Sequence, residues 1–551
     1  MFLARMNRFH RYGLAALAGL ALGLAYPKFN QFWLAWLAPG LLLLLSLGQG
    51  GWTALRVGYI GGLVQFLVGF YWLLLIPNRA VAIAAWLLVG VLMALYIAAW
   101  TWVCCRCWPM AEQRGKVPGQ PSQLAARLLA VSCQRRAWWA FICAGAWVAM
   151  EMAIARILNG FPYSLGLSQF KLLPLIQMAS VTGVYGVSFI VVWTSAALAC
   201  AFVLAQSARP GLSVFARELA APGVAVAAIL LFGCLKLFSP ELPGAHLKVA
   251  LIQPGIPQTI IWDVNERTNR LHKLVELSNQ AMAHGADLLV WPEAALPENM
   301  VGRNRDTQEL ITALVRSNGV WMVFGGIDNG VKRDAAGAAE TFRFNAAFFI
   351  DPAGDLVSRY FKRRLVIFGE YTPGARWLPF LKHLGMRGGG LEPGRGPVHF
   401  QMTRPRARIA PLICFEDVFP QVTRESVDED TDFLLNLTNN GWFGTGAAQW
   451  QHAVAALLRT VENGVPLVRC TNNGLTCWID VRGRIHDAYF PGSTDIYQAG
   501  YKIVEVPLRN SAGASHRTLY NRYGDAFGWS CLAVVLASLA WSCRPQRRHQ
   551  P

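Results

Sequence analysis

Long apolar segments dominate the first 239 residues of the chain, and one more lies near its C-terminus. A helix needs about 20 apolar residues to cross the hydrocarbon core of a bilayer. The pattern therefore predicts a multi-pass α-helical membrane bundle of about eight spans. The apolar segments are Tyr12–Tyr26, Phe32–Leu47, Thr53–Ile76, Ala80–Val103, Ala137–Ile157, Leu175–Leu204, Ala221–Phe238 and Tyr523–Cys543. The first two are short and flank Pro27, so they form either two short spans or one broken re-entrant hairpin.

Residues 245–508 have a different pattern, in which short apolar runs alternate with amphipathic stretches. Apolar residues recur at helical spacing in Asn265–His284 and Ala447–Asn463. The expected strands are Leu247–Ile252, Ala286–Trp291, Val320–Gly325, Phe344–Ile350, Val357–Phe361, Arg408–Cys414, Asp432–Leu437, Leu467–Thr471, Leu475–Val481 and Tyr501–Val506. Strands mixed with helices predict a layered α/β or α+β domain.

The change in pattern predicts the domain organisation. We expect a transmembrane bundle over 1–240, a mixed domain over 245–508, a final transmembrane helix over 523–543 and a cytoplasmic tail over 544–551.

Composition supports a membrane protein and argues against a nucleic-acid partner. Hydrophobic residues make up 54% of the chain and charged residues 15%, against about 25% charged in a typical soluble domain. The net charge is +18, but only three of the 32 acidic residues, Glu112, Glu151 and Glu218, precede residue 240. The basic excess therefore comes from Lys and Arg that flank apolar spans, not from a surface that binds phosphates.

The distribution of Lys and Arg predicts the orientation in the membrane. With eight spans and the N-terminus inside, 15 Lys and Arg residues fall in the inner segments and four in the short outer loops. Positively charged loops stay in the cytoplasm. Residues 245–508 are thus expected outside the cytoplasm, and the first apolar segment is expected to be an uncleaved span.

Three residues at the ends of predicted strands are candidates for chemistry. Cys414 ends an apolar strand before an amphipathic stretch. The unpaired N–H groups at the start of a helix stabilise a thiolate in such a position. The alternative is a buried structural cysteine. Glu293 follows an apolar strand and Trp291, a setting that raises a carboxyl pKa towards that of a base; the alternative is a loop carboxylate or helix cap. Lys362 could stabilise an oxyanion, or lie in a solvated basic turn.

Together the motifs around these residues resemble the nitrilase superfamily, whose catalytic set is Glu, Lys and Cys. The resemblance covers roughly 245–508 and implies an α/β domain built as an αββα sandwich. Further matching pieces are Gln253-Pro254-Gly255-Ile256-Pro257-Gln258, Leu437-Thr438-Asn439-Asn440-Gly441-Trp442-Phe443-Gly444 and Arg469-Cys470-Thr471-Asn472-Asn473-Gly474.

A nitrilase-like domain between seven spans and a last span is similar to the apolipoprotein N-acyltransferase family. In the membrane half, Glu151, Gly160-Phe161-Pro162-Tyr163 and Ser168-Gln169 resemble an outer loop of that family. In the outer domain, Phe368-Gly369-Glu370 and Trp450-Gln451-His452 resemble its motifs. One departure is Phe415, which follows the cysteine where we expect Tyr; its backbone N–H is unaffected.

The resemblance implies a two-step acyl transfer in the bacterial inner membrane, with the catalytic domain on the periplasmic side. Cys414 would take an acyl chain from a phospholipid, phosphatidylethanolamine being the expected donor, and pass it to the α-amine of a diacylglyceryl lipoprotein. Glu293 would act as base, while Lys362 and the Phe415 N–H would hold the oxyanion. Glu370 would orient Lys362 or relay protons, and Glu416 would support the cysteine loop. No metal or other cofactor is implied.

Several residues keep two interpretations. Trp262, Trp442 and Phe443 either line the acyl path or are ordinary core aromatics. Met386–Pro397, which is rich in glycine, is either a mobile lid near the membrane or a passive loop. Glu151, inside an apolar segment, is functional, or forms an ion pair with Arg156, or lies at the membrane interface.

Two cysteine clusters and two rival functions also stay open. Cys104, Cys105, Cys107 and Cys133 lack the usual spacing of zinc ligands. Cys470 and Cys477 could form a disulfide in an oxidising compartment.

The rival functions are a membrane-tethered nitrilase or amidase that uses water as the second nucleophile, and a transporter or receptor whose outer domain binds a ligand.

Overall fold

The computed structural model describes residues 7–108, 128, 130–157, 163–205, 212–239, 244–299, 305–333, 339–367, 369–372, 374, 390–508 and 517–542. The chain divides into two compact units. The first comprises residues 1–239 and 523–551, and the second comprises residues 240–522.

The first unit is helical throughout its described residues. Its α-helices are Arg8–Leu24, Ala38–Ser46, Gly51–Gly69, Arg79–Arg106, Cys133–Ile157, Leu173–Ile176, Ala179–Thr182, Val184–Ala205, Leu212–Phe238 and Ala526–Ser542. Short 3₁₀ turns cover Phe32–Trp36, Tyr71–Leu75 and Leu165–Gln169. Helices Arg8–Leu24 and Gly51–Gly69 approach closely, because a Cβ on Gly19 would lie 2.0 Å from the Gly61 carbonyl oxygen. Small residues permit such contacts between membrane helices.

Four of the described helices are long and apolar enough to cross a membrane. They are Arg79–Arg106, Cys133–Ile157, Val184–Ala205 and Ser213–Phe238, judged by length and composition. Phe32–Ser46, Leu173–Thr182 and Ala526–Ser542 are apolar but shorter. The apolar segment Leu175–Leu204 is not one continuous helix, because Gly183 adopts a left-handed φ of +68° and interrupts it. The predicted number of about eight spans therefore stays a prediction.

The second unit contains thirteen strands among its described residues, in two sheets. The strands are β1 His246–Gln253, β2 Leu288–Val290, β3 Leu296–Asn299, β4 Trp321–Arg333, β5 Ala339–Ile350, β6 Leu356–Phe361, β7 Phe400–Thr403, β8 Arg406–Ile413, β9 Phe433–Thr438, β10 Leu467–Thr471, β11 Cys477–Ile479, β12 Ile485–His486 and β13 Gly500–Pro507. One sheet has the order β13-β1-β2-β4-β5-β6, with β3 paired to β4. The other has the order β12-β11-β10-β9-β8-β7.

The hydrophobic core lies between the two sheets. Val249 and Val323 of the first sheet pack in one cluster with Ile409 and Leu435 of the second. Burial of such a side chain contributes about 1.5–3 kcal/mol, so alternate residues of both sheets stabilise the sandwich.

Helices cover the outer faces of both sheets. Helices Arg267–Met282 and Arg305–Asn318 pack against the first sheet through residues such as Leu274 and Leu314. Helices Pro420–Ser426 and Ala448–Asn463 contact β8 and β10 of the second. The result is four layers, αββα, as the nitrilase resemblance implies.

Several predicted elements need correction. The sequence pattern missed β3, β7, β12 and the helices Arg305–Asn318 and Pro420–Ser426. These elements are short or amphipathic, and tertiary packing decides their existence. Cys470 and Cys477 carry free thiols, so the disulfide considered above is absent.

Candidate active site

Cys414 lies immediately after β8, and its backbone is held in an unusual conformation. The predicted strand that included Cys414 is one residue too long, because Cys414 has a left-handed φ of +52°. Such strain persists only where the surroundings enforce it. Here Nδ2 of Asn436 donates to the Cys414 carbonyl oxygen at 2.8 Å, and Nε2 of His452 lies 3.2 Å from the same oxygen.

The electrostatic surroundings of Cys414 keep its thiol protonated at rest. Burial and the carboxylate of Glu293 raise the pKa of Cys414 to about 12, while Lys362 acts in the opposite direction. The three residues predicted from strand ends thus lie close enough to interact. A base is needed to make the thiolate in this setting.

Glu293, Lys362 and Glu370 form one buried cluster. Nζ of Lys362 donates to Oε1 of Glu293 at 3.3 Å and to Oε1 of Glu370 at 3.0 Å. Burial acts to lower the pKa of Lys362, but the two carboxylates raise it above its ordinary value. Burial acts to raise the pKa of Glu370, but Lys362 and nearby hydrogen bonds keep it below its ordinary value. Lys362 is therefore a fixed cation, and the alternative of a solvated basic turn is wrong.

Two asparagines to which the sequence pattern assigned no role complete this cluster. Nδ2 of Asn345 donates to both Glu293 and Glu370 at 2.8 Å. The backbone N–H of Asn439 donates to Oε2 of Glu293 at 2.9 Å, which joins the second sheet to the first. A signal for Asn345 existed in the sequence, since it is the polar residue within the apolar run Phe344–Ile350.

Glu416 connects the cysteine loop to the segment that follows Lys362. Its carboxylate accepts hydrogen bonds from the N–H groups of Ile413, Arg363 and Arg364 and from the Tyr360 hydroxyl. Burial raises the pKa of Glu416. Ile413 ends β8, and the other three donors lie at the end of β6 or just after it. Glu416 therefore fixes the position of β8 relative to the end of β6.

A second buried network, made by Asp417, Arg469 and His452, supports the loop that carries Cys414. Asp417 forms an ion pair with Arg469, and its Oδ1 lies 2.6 Å from Nε2 of His452. Nδ1 of His452 lies 3.1 Å from Oδ1 of Asn440. His452 therefore contacts the Cys414 backbone and the Asn439-Asn440 loop.

The remaining predicted residues lie on neighbouring segments. The Phe415 ring packs edge-on against Phe419 and His452. Trp262 packs against two small apolar clusters, one of which contains Ala294, the residue after Glu293, and the other Leu365. Trp442 and Phe443 are half-buried in the short turn Gly441–Phe443, just after Asn439.

The glycine-rich segment is described only in part. Phe368 and residues 386–389 lie outside the described residues. From residue 390 onward, the N–H groups of Leu391 and Gly394 donate to the carbonyl oxygens of Glu370 and Lys362 at 2.8 Å. The described part of this segment therefore lies against the cluster that contains the buried cation.

This arrangement combines a thiol, a carboxylate, a fixed cation and ordered backbone N–H groups, which is the equipment for covalent acyl chemistry. Residues 248–506 match the family "Carbon-nitrogen hydrolase", and residues 18–197 match "Apolipoprotein N-acyltransferase N-terminal domain". The chain is 34% identical to the apolipoprotein N-acyltransferase of Geobacter metallireducens over 98% of its own length and 96% of that relative. The chain belongs to the apolipoprotein N-acyltransferase family.

Other apolipoprotein N-acyltransferases are similar over most of the chain at somewhat lower identity. The Caulobacter vibrioides protein is 29% identical over 96% of this chain and 94% of the relative. The Rickettsia prowazekii protein is 28% identical over 81% of this chain and 82% of the relative. The chain is therefore an acyltransferase of lipoprotein maturation with a nitrilase-like domain, and the family resemblance found in the sequence is confirmed.

Proposed function

We propose that this apolipoprotein N-acyltransferase works through a thioester on Cys414 in two successive steps. In the first, Cys414 attacks an acyl ester of a phospholipid, with phosphatidylethanolamine as the donor, and the lysophospholipid leaves. In the second, the α-amine of a diacylglyceryl-cysteine at a lipoprotein N-terminus attacks the thioester. The observation that carries this proposal is the left-handed turn at Cys414 beside the Glu293–Lys362–Glu370 cluster.

Proton transfers in both steps are assigned to Glu293. It takes the thiol proton as the S–C bond forms and gives it to the lysophospholipid oxygen as the C–O bond breaks. It then takes a proton from the incoming amine and returns it to Cys414 when the thioester breaks. The raised pKa of Cys414 supports this role, since the thiol needs a base at neutral pH.

The oxyanion of each tetrahedral intermediate is assigned to Lys362 and the Phe415 N–H. Lys362 is 1% exposed, so its charge acts in a site of low dielectric constant and needs little reorganisation. Glu370 and Asn345 are positioning residues that hold Lys362 and Glu293, and Glu416 holds the cysteine loop.

Trp262, Trp442 and Phe443 are assigned to the acyl path. Trp262 packs against two apolar clusters that include Ala294, next to Glu293, and Leu365, in the segment after Lys362. Trp442 and Phe443 follow Asn439, whose N–H binds Glu293. These contacts place aromatic surface on segments that also carry catalytic groups.

We also propose the membrane arrangement predicted from the sequence. The domain over 245–508 lies on the periplasmic side of the bacterial inner membrane, between about seven spans in 1–240 and a last span at 523–543. The four long apolar helices and the asymmetry of basic residues support this arrangement. Both substrates are anchored in the membrane, which gives a reason for a bundle attached to a nitrilase-like domain.

Intact-protein mass spectrometry tests the thioester. The purified full chain, incubated with phosphatidylethanolamine of one acyl length, should gain the mass of one acyl group, and hydroxylamine or a diacylglyceryl-cysteine peptide should remove it. Cys414→Ser should gain none, because a serine hydroxyl is far less acidic than a thiol. Cys234→Ser, which changes a half-buried thiol in helix Leu212–Phe238, is the matched control and should be acylated normally. An adduct that persists in Cys414→Ser would remove Cys414 from the mechanism.

A further inference from the structure

A small cavity lies among the helices of the first unit, and the chemistry proposed above does not use it. Its lining consists of Met93, Tyr96, Glu151, Ile154, Tyr163 and Ser164. It has room for about one group of the size of a water molecule. Four of the six side chains carry a hydroxyl or a carboxyl group, which distinguishes it from the dry apolar cavities found in protein cores.

Three oxygen atoms at this cavity have no hydrogen-bond partner among the described residues. They are Oε2 of Glu151 and the hydroxyl oxygens of Tyr96 and Tyr163. The three residues are only 6%, 7% and 9% exposed. An unpaired buried polar group is destabilising, so three around one cavity indicate an occupant that supplies the missing hydrogen bonds.

Glu151 is held in place by its other oxygen. Oε1 accepts hydrogen bonds from Nε1 of Trp147 at 2.6 Å and from the Leu165 N–H at 2.7 Å. The side chains of Ser164 and Ser188 also lie close to the carboxyl group. Oε2 is therefore fixed at the cavity rather than free to turn towards another partner.

No basic side chain among the described residues neutralises Glu151. Arg156, considered above as its partner, forms an ion pair with Asp525 instead, so that alternative is wrong. The nearest partners of Glu151 are neutral donors. A buried carboxyl group in a membrane segment, without a cation from the protein, is a site for a cation or a donor from outside.

Two aromatic rings, those of Tyr96 and Tyr163, line the cavity and pack against further rings, and this setting favours a cation. The Tyr163 ring lies 3.8 Å from that of Tyr26 and 4.7 Å from that of Phe70, between centroids. The Tyr96 ring lies 5.7 Å from that of Trp147. Aromatic faces attract ammonium groups, and a primary ammonium has three N–H donors, which equals the number of unpartnered oxygens.

We propose that this cavity binds the primary ammonium group of a membrane-anchored substrate, with Glu151 as its anionic partner and Tyr96 and Tyr163 as the other acceptors. Both substrates of the proposed reaction carry such a group: the donor has it in its ethanolamine headgroup, and the acceptor has it as its α-amine. The choice between these two sources of the ammonium rests on the proposed function. The narrow cavity favours ethanolamine, whose amine ends an unbranched chain, over an α-amine on a branched carbon.

Lipid retention measured by native mass spectrometry tests the site. The full chain carrying Cys414→Ser, so that lipid is not consumed, is titrated with phosphatidylethanolamine and with phosphatidylcholine of the same acyl chains. Since a hydrogen bond to a charged group contributes about 1.5–3 kcal/mol, we expect roughly tenfold or greater preference for phosphatidylethanolamine. Glu151→Gln should abolish the preference and leave phosphatidylcholine retention unchanged.

The variants are chosen so that misfolding cannot decide the result. Glutamine keeps an oxygen for Trp147 and Leu165, and Tyr96→Phe and Tyr163→Phe each remove one acceptor and should weaken the preference. Tyr26→Phe is the control, because its hydroxyl lies outside the cavity lining and donates weakly to the Tyr163 carbonyl oxygen. Equal retention of both lipids by the parent chain, or an unchanged preference in Glu151→Gln and both tyrosine variants, would overturn the proposal.

A diacylglyceryl-cysteine peptide with a free or acetylated amine distinguishes the two sources. If Glu151→Gln lowers the retention of the free-amine peptide but not that of phosphatidylethanolamine, the ammonium site stands. Its assignment to ethanolamine is then overturned. If Glu151-dependent retention persists while the chain with native Cys414 forms no thioester, the failure belongs to the proposed function and not to this site.

Discussion

Lys362 binds two carboxylates at once, and this contact explains why the site needs a lysine rather than another cation. Its Nζ donates to Glu293 and Glu370 at 3.3 and 3.0 Å. An ammonium is a compact point charge with three donors, whereas an arginine fork requires a flat, wider partner. The lysine can therefore donate to both carboxylates and still offer a third N–H to an oxyanion.

Substitution of Lys362 or Glu293 should block the first step. For Lys362→Met, loss of one oxyanion donor should slow acylation of Cys414 by about a hundred- to a thousandfold, or about 3–4 kcal/mol. For Glu293→Gln, loss of the base should slow acylation of Cys414 by roughly a hundred- to ten-thousandfold. Removal of the negative charge also lowers the pKa of Cys414, which offsets part of this loss. Thioester formation with lipid alone measures both. A variant that forms the thioester normally and stalls only with acceptor would belong to the second step.

Substitution of Asn345 should slow the acylation of Cys414, although Asn345 is not expected to touch substrate. Asn345→Leu keeps the shape of the side chain but removes one hydrogen bond from each of Glu293 and Glu370, so kcat should fall about tenfold or more with KM little changed. Single-turnover acylation checks this. Asn318→Leu, at the exposed end of helix Arg305–Asn318, should acylate at the parent rate. An equal loss in both variants would indicate general destabilisation.

At the scale of elements, the site depends on how the end of β6 is attached to the end of β8. Glu416 makes this attachment with four accepted hydrogen bonds. Ion pairs and hydrogen bonds between Asp417, Arg469 and His452 connect the same cysteine loop to β10 and helix Ala448–Asn463. Cys414 and the buried cation are thus fixed by two networks rather than by the strands alone.

Glu416→Gln should destabilise this attachment. An amide NH₂ would face donors that now bind a carboxylate, and one buried unsatisfied donor costs about 1–3 kcal/mol. We expect a lower apparent Tm in detergent together with slower acylation. Tyr360→Phe removes the bond to Oε2 of Glu416 and the one that Nε of Arg363 donates to the Tyr360 hydroxyl. It leaves the three backbone donors to Glu416 in place, so it should show a smaller change in both. A Gln variant with parental stability and rate would contradict this role for Glu416.

At the scale of the whole molecule, the uneven charge of the chain predicts its orientation. Only three acidic residues precede residue 240, and the basic residues of that part concentrate in alternate loops. Because the proposed catalytic residues lie within 293–416, the side of the membrane reached by this unit decides whether it can meet a lipoprotein.

Reporter fusions check the orientation. Alkaline phosphatase fused after residue 240 should be active and green fluorescent protein at the same position should be dark, since each folds on only one side of the membrane. Fusions after residue 116, in the predicted cytoplasmic loop, should give the opposite result. Fluorescence after residue 240 would reverse the topology and exclude the periplasmic site.

The amino-acid pattern alone was enough to predict the classes of element, the change of character near residue 240 and the three residues at strand ends. Apolar periodicity is a local property, so it survives without knowledge of the fold. Family motifs around Glu293, Lys362 and Cys414 added the chemistry, because their order along the chain is itself specific.

Which polar groups meet depends on the folded chain and could not be predicted from the pattern. Asn345 and Asn439 reach Glu293 from different sheets, and the pairing of Arg156 with Asp525 joins residues far apart in the chain. The left-handed backbone of Cys414 is likewise enforced by Asn436 and its surroundings. Short-range patterns carry no record of such contacts, since hydrogen bonds and burial depend on distances in space and not on spacing in sequence.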